Sequence, residues 1–301
     1  MNLSNLKFNI PSLSHAQLEK LKLYAQLVRL DRPIGIYLLL WPTLWALAIA
    51  GEGGPDLWVL FVFVCGVVLM RSAGCAINDF ADRDIDRHVA RTKDRPLTSG
   101  KITSKEALLV FAALALLAFL LVLTLNTYTI YLSIGGVLLT VSYPFMKRLH
   151  YLPQVHLGAA FGWAVPMAYA AQTGSVNKIG WLLYTATILW TVAYDTMYGM
   201  ADREDDLKIG VKSTAILFGE ADRHIIGVLQ GLFILTLWLI GAELEFGAFY
   251  FLSLIFALVL LGYQQVMIYY RFPEYCIEAF LHNHWVGAVV FAGIMGHYFT
   301  A

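Results

Sequence analysis

Two runs of acidic side chains, more than a hundred residues apart, have the spacing of a divalent-metal site. In the first run, Asn78, Asp82 and Asp86 are four residues apart and would share one face of a helix. Like charges at this spacing destabilise a helix, and a bound cation would offset that cost. Because Mg²⁺ binds one or two carboxylates and completes its shell with water and substrate phosphates, this run predicts a Mg²⁺ site.

The second run has the same pattern in a more apolar setting. Asp195, Tyr198, Asp202 and Asp206 fall on one helical stripe. Asp195 lies inside an apolar stretch, where an ionisable side chain is costly and indicates function. A single Asp-x-x-x-Asp pattern is common on solvated helices. Two such runs, each at the end of an apolar stretch, favour a shared metal site instead.

Basic side chains accompany both acidic runs. Arg91 and Arg95 follow the first run, Lys212 follows the second, and Lys147 and Arg148 end another apolar stretch. Arginine and lysine side chains bind phosphate oxygens through charge-assisted hydrogen bonds. Two acidic faces with neighbouring cations are therefore suited to hold Mg²⁺ against a diphosphate group.

The composition indicates that membrane-spanning helices position these residues. Of the 301 residues, 59% are hydrophobic and only 14% are charged, and the mean hydropathy is +0.65. Soluble proteins have about 45–50% apolar and about 25% charged residues, so the sequence predicts an integral membrane protein of the all-α class. A formal net charge of zero gives no basic field for nucleic acid. The three cysteines form neither a disulfide framework nor a metal-binding spacing.

Apolar stretches long enough to cross a bilayer predict nine transmembrane helices, each of about 20 residues. Their approximate ranges are 34–51, 56–76, 106–125, 128–146, 152–171, 179–200, 224–241, 246–269 and 284–299. Apolar residues also recur at helical spacing from Leu18 to Val28, which predicts an amphipathic helix on the membrane surface. We therefore predict a surface segment, residues 1–33, and a nine-helix transmembrane domain, residues 34–301.

The distribution of lysine and arginine predicts the orientation. These residues concentrate before the first apolar stretch and after the second, fourth, sixth and eighth, whereas the intervening connections carry only Lys178. Basic residues mark the cytoplasmic side of a membrane protein. The N-terminus and both acidic runs are therefore predicted to face the cytoplasm, and the C-terminus the opposite side.

Four segments together resemble the signatures of the UbiA superfamily of intramembrane aromatic prenyltransferases. The two acidic signatures correspond to Asn78 through Leu97 and to Asp195 through Thr214. The shorter segments are Asp31-Arg32-Pro33-Ile34-Gly35 and Tyr143-Pro144-Phe145-Met146-Lys147-Arg148. They narrow the resemblance to the branch that prenylates 4-hydroxybenzoate in ubiquinone synthesis, and it covers the chain from about residue 24.

This resemblance implies a ring of nine helices around a central cavity that opens laterally to membrane lipid. It implies Mg²⁺-dependent transfer from polyprenyl diphosphate to 4-hydroxybenzoate, in the bacterial inner membrane and on its cytoplasmic side. The metal ligands that it implies are Asn78, Asp82, Asp86, Asp202 and Asp206. The residues that it implies for the diphosphate or the acceptor are Arg32, Arg91, Arg95, Lys147, Arg148, Tyr198 and Lys212.

The reaction implied by the resemblance requires a proton acceptor and a shielded cation. Loss of diphosphate develops an allylic cation, which the ring carbon beside the phenol attacks. Asp202 or Asp195 is predicted to accept the phenolic proton, and Arg148 completes the predicted catalytic set. Trp163, Tyr194 and Tyr198 are candidates to shield the cation, although apolar packing is the commoner role for any one of them.

Three other functions share some of these sequence features. Relatives within the superfamily share the aspartate motifs and use other aromatic acceptors. CDP-alcohol phosphotransferases carry their acids in one compact run that begins Asp-Gly, which this sequence lacks. A cation-coupled transporter would carry its acids at broken helices near the bilayer centre, whereas most acids here lie at the ends of apolar stretches.

Overall fold

A computed structural model describes residues 14–87 and 92–300, and within these ranges the chain forms helices and no strand. Helices make up 82% of the described residues, which confirms the predicted all-α class. The helices are α1 (His15–Leu27), α2 (Ile34–Ala50), α3 (Leu57–Asp86), α4 (Ser104–Val122), α5 (Thr127–Leu149), α6 (Pro153–Gly162), α7 (Ala164–Thr173), α8 (Lys178–Ile209), α9 (Thr214–Phe218), α10 (Asp222–Glu243), α11 (Ala248–Met267) and α12 (Pro273–Thr300). A short 3₁₀ turn, Gly219–Ala221, joins α9 and α10.

Several of these helices have the length and composition of membrane spans. Within the described ranges there are six such segments: Leu57–Asp86, Ser104–Val122, Thr127–Leu149, Thr214–Glu243, Ala248–Met267 and Pro273–Thr300. α2 is also apolar but has only 17 residues. The protein is therefore an integral membrane protein, while the count of nine spans stays a prediction.

Both acidic runs lie on continuous helices, as their spacing requires. α3 begins after Asp56, whose side chain caps it, and continues unbroken to Asp86 over 30 residues. α8 continues to Ile209, where Gly210 ends it in the left-handed conformation at φ 72°. Both helices thus extend beyond their apolar stretches and carry carboxylates near their C-terminal ends.

The fifth predicted span is two short helices, α6 and α7, separated by Trp163. Pro166 accounts for the break because it has no N–H to donate to the carbonyl of Gly162, and its ring crowds that carbonyl. At the break, the Trp163 indole packs against Gly135 and Gly136 of α5, where a side chain would crowd it. The break therefore lets an aromatic ring lie close to a neighbouring helix.

The N-terminal segment is described in part, since residues 1–13 lie outside the described ranges. α1 begins with a capping box. Leu23 and Leu27 pack towards α3 and the start of α4, whereas Leu18 and Leu21 are about half exposed. The predicted helix is confirmed, and its position on a membrane surface stays a prediction.

A buried aromatic cluster holds α8 among its neighbours. Trp190 of α8 stacks on Phe233 of α10, with ring centroids 5.7 Å apart, and packs on Trp45 of α2 at 5.3 Å. The indole N–H of Trp45 donates to the carbonyl of Gly287 at 3.1 Å, and that of Trp190 donates to Oδ1 of Asn283 at 2.9 Å. Because buried indole N–H groups need such partners, these bonds fix α2 and α8 against α12.

Candidate active site

A large cavity of about 1530 Å³ lies between α2, α3, α4, α5, α6, α7, α8 and α12. Its walls bring together ten of the predicted site residues: Asn78, Asp82, Asp86, Asp195, Tyr198, Asp202, Asp206, Arg32, Arg95 and Lys147. Two acidic runs that are distant in sequence therefore face one space.

The cavity is charged at one end and apolar at the other. Along α3 its lining extends from Asp86 to Val62, which is about 36 Å at 1.5 Å per residue. This length is comparable with the roughly 30 Å of hydrocarbon in a bilayer. The end away from Asp86 is lined by apolar side chains that include Phe63, Phe119 and Val122. Such a cavity fits a molecule with an anionic head and a long apolar tail.

Lysine and arginine side chains pair with the first acidic run. Nζ of Lys147 donates to Oδ2 of Asp82 at 2.5 Å. Nη1 of Arg95 donates to Oδ2 of Asp86 at 2.7 Å and to Oδ1 of Asp79 at 3.1 Å. Burial alone would lower the pKa of Arg95, but these two carboxylates outweigh burial and raise its pKa above the ordinary value. Arg95 is therefore a fixed positive charge in the cavity wall.

Asp82 shows that the first run fits a divalent cation. Its side chain is 2% exposed, and its Oδ1 accepts no hydrogen bond although Lys147 bonds to Oδ2. A buried carboxylate oxygen without a donor is destabilising, and a metal ion would relieve it. Among the described residues, no three His, Cys, Asp or Glu side chains are arranged to hold a metal by themselves. Mg²⁺ here would use one or two carboxylates and complete its shell with substrate oxygens and water, which is its common arrangement.

The second acidic run extends from the rim of the cavity towards its interior. Asp195 is half-buried and lies about two helical turns before Asp202 on α8, and the charges of Asp202 and Arg71 act on it. The Tyr198 ring packs edge-on against Phe280 of α12, with centroids 5.0 Å apart. The carboxylates of this run therefore lie at two depths in the cavity.

Arg71 is a half-buried cation in the same wall, and the sequence analysis assigned it no role in the site. Nη1 donates to Sγ of Cys75, Nε is buried without a hydrogen-bond partner, and the guanidinium carbon lies 5.7 Å from the centroid of the Phe161 ring. A Cβ added to Gly35 would overlap the guanidinium, so Gly35 leaves room for it. An arginine within an apolar stretch is as costly as Asp195 and indicates function in the same way.

The three aromatic residues predicted to face the substrate all line the cavity. The indole N–H of Trp163 donates to the carbonyl of Leu132 at 2.7 Å, which fixes the orientation of the ring. Tyr194 is 1% exposed and packs against Phe280 at 5.8 Å between centroids. Aromatic faces held in an apolar wall are able to stabilise a nearby cation.

An ion pair between Arg29 and Asp79 joins the N-terminal segment to the first acidic run. Nη2 of Arg29 donates to both carboxylate oxygens, at 2.8 Å and 3.0 Å, and Asp79 is 1% exposed. Sequence reasoning missed both residues as functional. Asp79 follows Asn78 and lies off its helical face, and Arg29 was counted only among the basic residues before the first span.

The structure does not bring two of the predicted basic residues into the cavity wall, and Arg91 lies outside the described ranges. Nη2 of Arg148 donates to the carbonyl of Ala81 and lies 3.9 Å from Oδ1 of Asp82. Arg148 therefore contacts the first run from outside the cavity lining.

Lys212 faces the connection between α5 and α6. Its backbone N–H donates to the carbonyl of Lys147 at 3.0 Å, which fixes this part of the chain. Its Nζ donates to the carbonyl of Leu149 at 3.1 Å and lies 5.6 Å from the centroid of the Tyr151 ring. Lys212 thus lies outside the described cavity lining, and its contact with phosphate stays a prediction.

Comparison with known proteins identifies the family of this chain. Residues 39–292 match the UbiA prenyltransferase family. A protein named 4-hydroxybenzoate octaprenyltransferase from Hahella chejuensis is 59% identical over 286 residues, which cover 95% of each chain. Another protein of that name, from Nitrosococcus oceani, is 61% identical over 283 residues, which cover 94% of this chain and 99% of that protein.

Solved structures of the family share the architecture. The apo structure of a UbiA homolog from Aeropyrum pernix K1 is 28% identical, with a TM-score of 0.77 over 86% of this chain and 97% of that chain. A UbiA homolog from Archaeoglobus fulgidus bound to GPP and Mg²⁺ is 18% identical and supports the fold alone, with a TM-score of 0.71 over 90% and 99% of the two chains. Sequence, fold and cavity agree, and this chain belongs to the UbiA prenyltransferase family.

Proposed function

We propose that this protein transfers a polyprenyl group from polyprenyl diphosphate to the ring of 4-hydroxybenzoate, with Mg²⁺ as cofactor, in ubiquinone biosynthesis. The observation that carries this proposal is the cavity, whose charged end and apolar depth suit such a donor. Relatives that are 59% and 61% identical bear the name 4-hydroxybenzoate octaprenyltransferase. A structural neighbour of the same fold is bound to GPP and Mg²⁺.

The charged end of the cavity would bind the donor's diphosphate. The residues that would hold Mg²⁺ there, together with phosphate oxygens, are Asn78, Asp82, Asp86, Asp202 and Asp206. When bound, Mg²⁺ neutralises charge on the diphosphate and so makes it a better leaving group. Lys147, Arg95 and Arg32 line the same end and would donate to the remaining oxygens.

The region around Arg71 would bind the acceptor. A guanidinium group forms paired hydrogen bonds with a carboxylate, and the unused Nε of Arg71 leaves one donor available for 4-hydroxybenzoate. Asp195 and Asp202 lie on the neighbouring wall, and one of them would accept the phenolic proton and increase electron density in the ring.

Carbon–carbon bond formation would follow from this arrangement. As the donor's C–O bond breaks, the ring carbon beside the phenol forms a bond to the allylic carbon. The same ring carbon then loses its proton to a carboxylate or to solvent, which restores aromaticity. Tyr194 and Tyr198 would shield the allylic cation from water, and Trp163 would contact the prenyl chain.

We also propose the arrangement in the membrane. Residues 34–301 form a single domain of nine spans, and residues 1–33 form a segment on the cytoplasmic surface. Basic residues at the charged end of the cavity support a cytoplasmic active site under the positive-inside rule. Because the named relatives come from bacteria, we assign the protein to the bacterial inner membrane.

The proposal is tested with purified protein in lipid vesicles, polyprenyl diphosphate, 4-hydroxybenzoate and Mg²⁺. We expect a prenylated acid and pyrophosphate in equal amounts, and no product when EDTA removes the metal. Product formed only with a different phenol would replace the acceptor. Product formed only from a CDP-alcohol, or ion transport without any product, would refute prenyl transfer.

A further inference from the structure

Asp79 differs from the other carboxylates of the first acidic run in how its oxygens are used. Both of its oxygens accept hydrogen bonds, at 2.8 Å and 3.0 Å from Arg29 and at 3.1 Å from Arg95. Asp82 is equally buried but has one oxygen without a donor. An oxygen without any donor is therefore present on Asp82, whereas both oxygens of Asp79 already accept hydrogen bonds from guanidinium groups.

Asp79 connects two arginines that both line the charged end of the cavity. Arg95 lies in the loop after α3, and it bridges Asp79 to Asp86. Arg29 lies just after α1, far away in the sequence. Because a carboxylate restricts a guanidinium to a narrow range of positions, Asp79 fixes two cations that arrive from different parts of the chain.

The N-terminal segment is held so that Arg29 reaches Asp79. Arg29 has φ 58°, in the left-handed region that costs a non-glycine residue free energy, and its Nη1 donates to the carbonyl of Gln26 at 2.6 Å. α1 is in turn attached to the start of α4, where Glu106 accepts from Lys20 at 2.5 Å and from Tyr24 at 3.0 Å. A surface helix and an unfavourable backbone conformation thus both place this guanidinium.

We propose that Asp79 is a positioning residue, which holds Arg29 and Arg95 against the donor's diphosphate and does not bind the metal. The proposal rests on the proposed function, since it requires a diphosphate at the charged end. It adds Arg29, which lies just after α1, to the phosphate-binding cations that the sequence analysis predicted. It also separates the adjacent acids of the first run into two tasks, metal binding by Asp82 and arginine placement by Asp79.

The first test measures binding without catalysis. Calorimetry in lipid nanodiscs gives the affinity of the full chain for pyrophosphate in the presence of Mg²⁺. We expect Asp79→Asn to weaken this affinity about tenfold or more, because the arginines lose a charged hydrogen-bond partner. Asp84→Asn is the matched control, since Asp84 is an exposed acid on the same helix and its side chain lies outside the cavity lining.

The second test separates arginine placement from metal binding. Mn²⁺, used in place of Mg²⁺ and followed by electron paramagnetic resonance, should bind Asp79→Asn in the presence of pyrophosphate with the same number of ions as wild type. In steady-state assays, the KM for the donor should rise while the KM for 4-hydroxybenzoate stays unchanged. If Asp79→Asn does not fold, Arg29→Gln tests the same link from its partly exposed side and should weaken pyrophosphate binding similarly.

The outcomes are distinct for the two proposals. Absence of pyrophosphate binding by the wild-type protein would count against the proposed function itself. Wild-type binding with unchanged affinity in folded Asp79→Asn, or in Arg29→Gln where Asp79→Asn does not fold, would overturn the positioning role. A bound Mn²⁺ ion lost in Asp79→Asn would instead make Asp79 a ligand and overturn it as well.

Discussion

Replacing Arg71 with methionine should remove the affinity for the acceptor's carboxylate and leave the donor's affinity unchanged. Methionine keeps much of the length and the apolar part of the side chain but loses the guanidinium. In the wild-type protein the guanidinium packs between Phe161 and Gly35, so the change leaves the apolar wall nearly filled. The effect should therefore come from the lost charge and hydrogen bonds.

The expected size follows from the environment of the group. A hydrogen bond to a charged partner contributes about 1.5–3 kcal/mol when the site is shielded from water. Each 1.4 kcal/mol corresponds to a factor of about ten in affinity, so the KM for 4-hydroxybenzoate should rise roughly 10- to 100-fold. The KM for polyprenyl diphosphate should not change, because the diphosphate end lies about two helical turns or more away along α3.

The assay is a cycle that changes the protein and the ligand in turn. Prenylation of 4-hydroxybenzoate and of its methyl ester, which has no carboxylate charge, is measured for wild type and for Arg71→Met. If Arg71 binds the carboxylate, the ester should be a poor acceptor for wild type and should lose nothing further in the variant. Equal losses for acid and ester would refute the assignment, and the same cycle with Arg148→Met would then identify the alternative cation.

The remaining predictions concern neighbours of this site. Gly35→Ala should fold, because its added Cβ would clash with the flexible end of the Arg71 side chain. The displaced guanidinium should raise the KM for 4-hydroxybenzoate, as Arg71→Met does. An unchanged KM would show that this contact does not hold the guanidinium in place. Asp82→Asn should lower turnover at least about a hundredfold, because the substitution removes the negative charge of a proposed metal ligand. The variant should also lose Mn²⁺ binding, measured by electron paramagnetic resonance. Normal metal binding would exclude Asp82 as a ligand. Lys212→Met should keep activity within about twofold of wild type, because Lys212 lies outside the cavity lining. Lys147→Met should raise the KM for the donor at least about tenfold, because Lys147 lines the charged end of the cavity. A large loss of activity in Lys212→Met alone would reverse these roles.

The sequence predicted which acidic residues line one cavity, because that placement depends on helical periodicity. Asn78, Asp82 and Asp86 share a face only if α3 continues past its apolar stretch, and the structure confirms that it does. The same holds for Asp195 and Asp202 on α8. Regular spacing on long helices is a local property, so it is readable without knowledge of the tertiary contacts.

The features that the sequence did not predict depend on contacts between distant segments. The Arg29–Asp79 pair joins residues 50 positions apart, and the packing of Arg71 depends on Gly35. The break at Trp163 was readable in principle, because Pro166 disrupts the preceding turn, but the high hydropathy of the stretch favoured one uninterrupted span. Lys212 is a further case, since its position after the second run predicts a phosphate contact, whereas its Nζ donates to the carbonyl of Leu149 in a segment distant in sequence.

The C-terminal ends of α3 and α8, where both acidic runs lie, have a further consequence for the electric field in the cavity. Each helix end carries a partial negative charge of roughly half an elementary charge from its unpaired carbonyl groups, which adds to the carboxylates. The described lining contains ten acidic and five basic side chains, so the field at the charged end is negative. A bare diphosphate would be repelled there, whereas a diphosphate accompanied by divalent cations would be attracted. We therefore expect the cavity to bind a diphosphate as its complex with divalent cations in preference to the bare anion, and raising the ionic strength should weaken that preference.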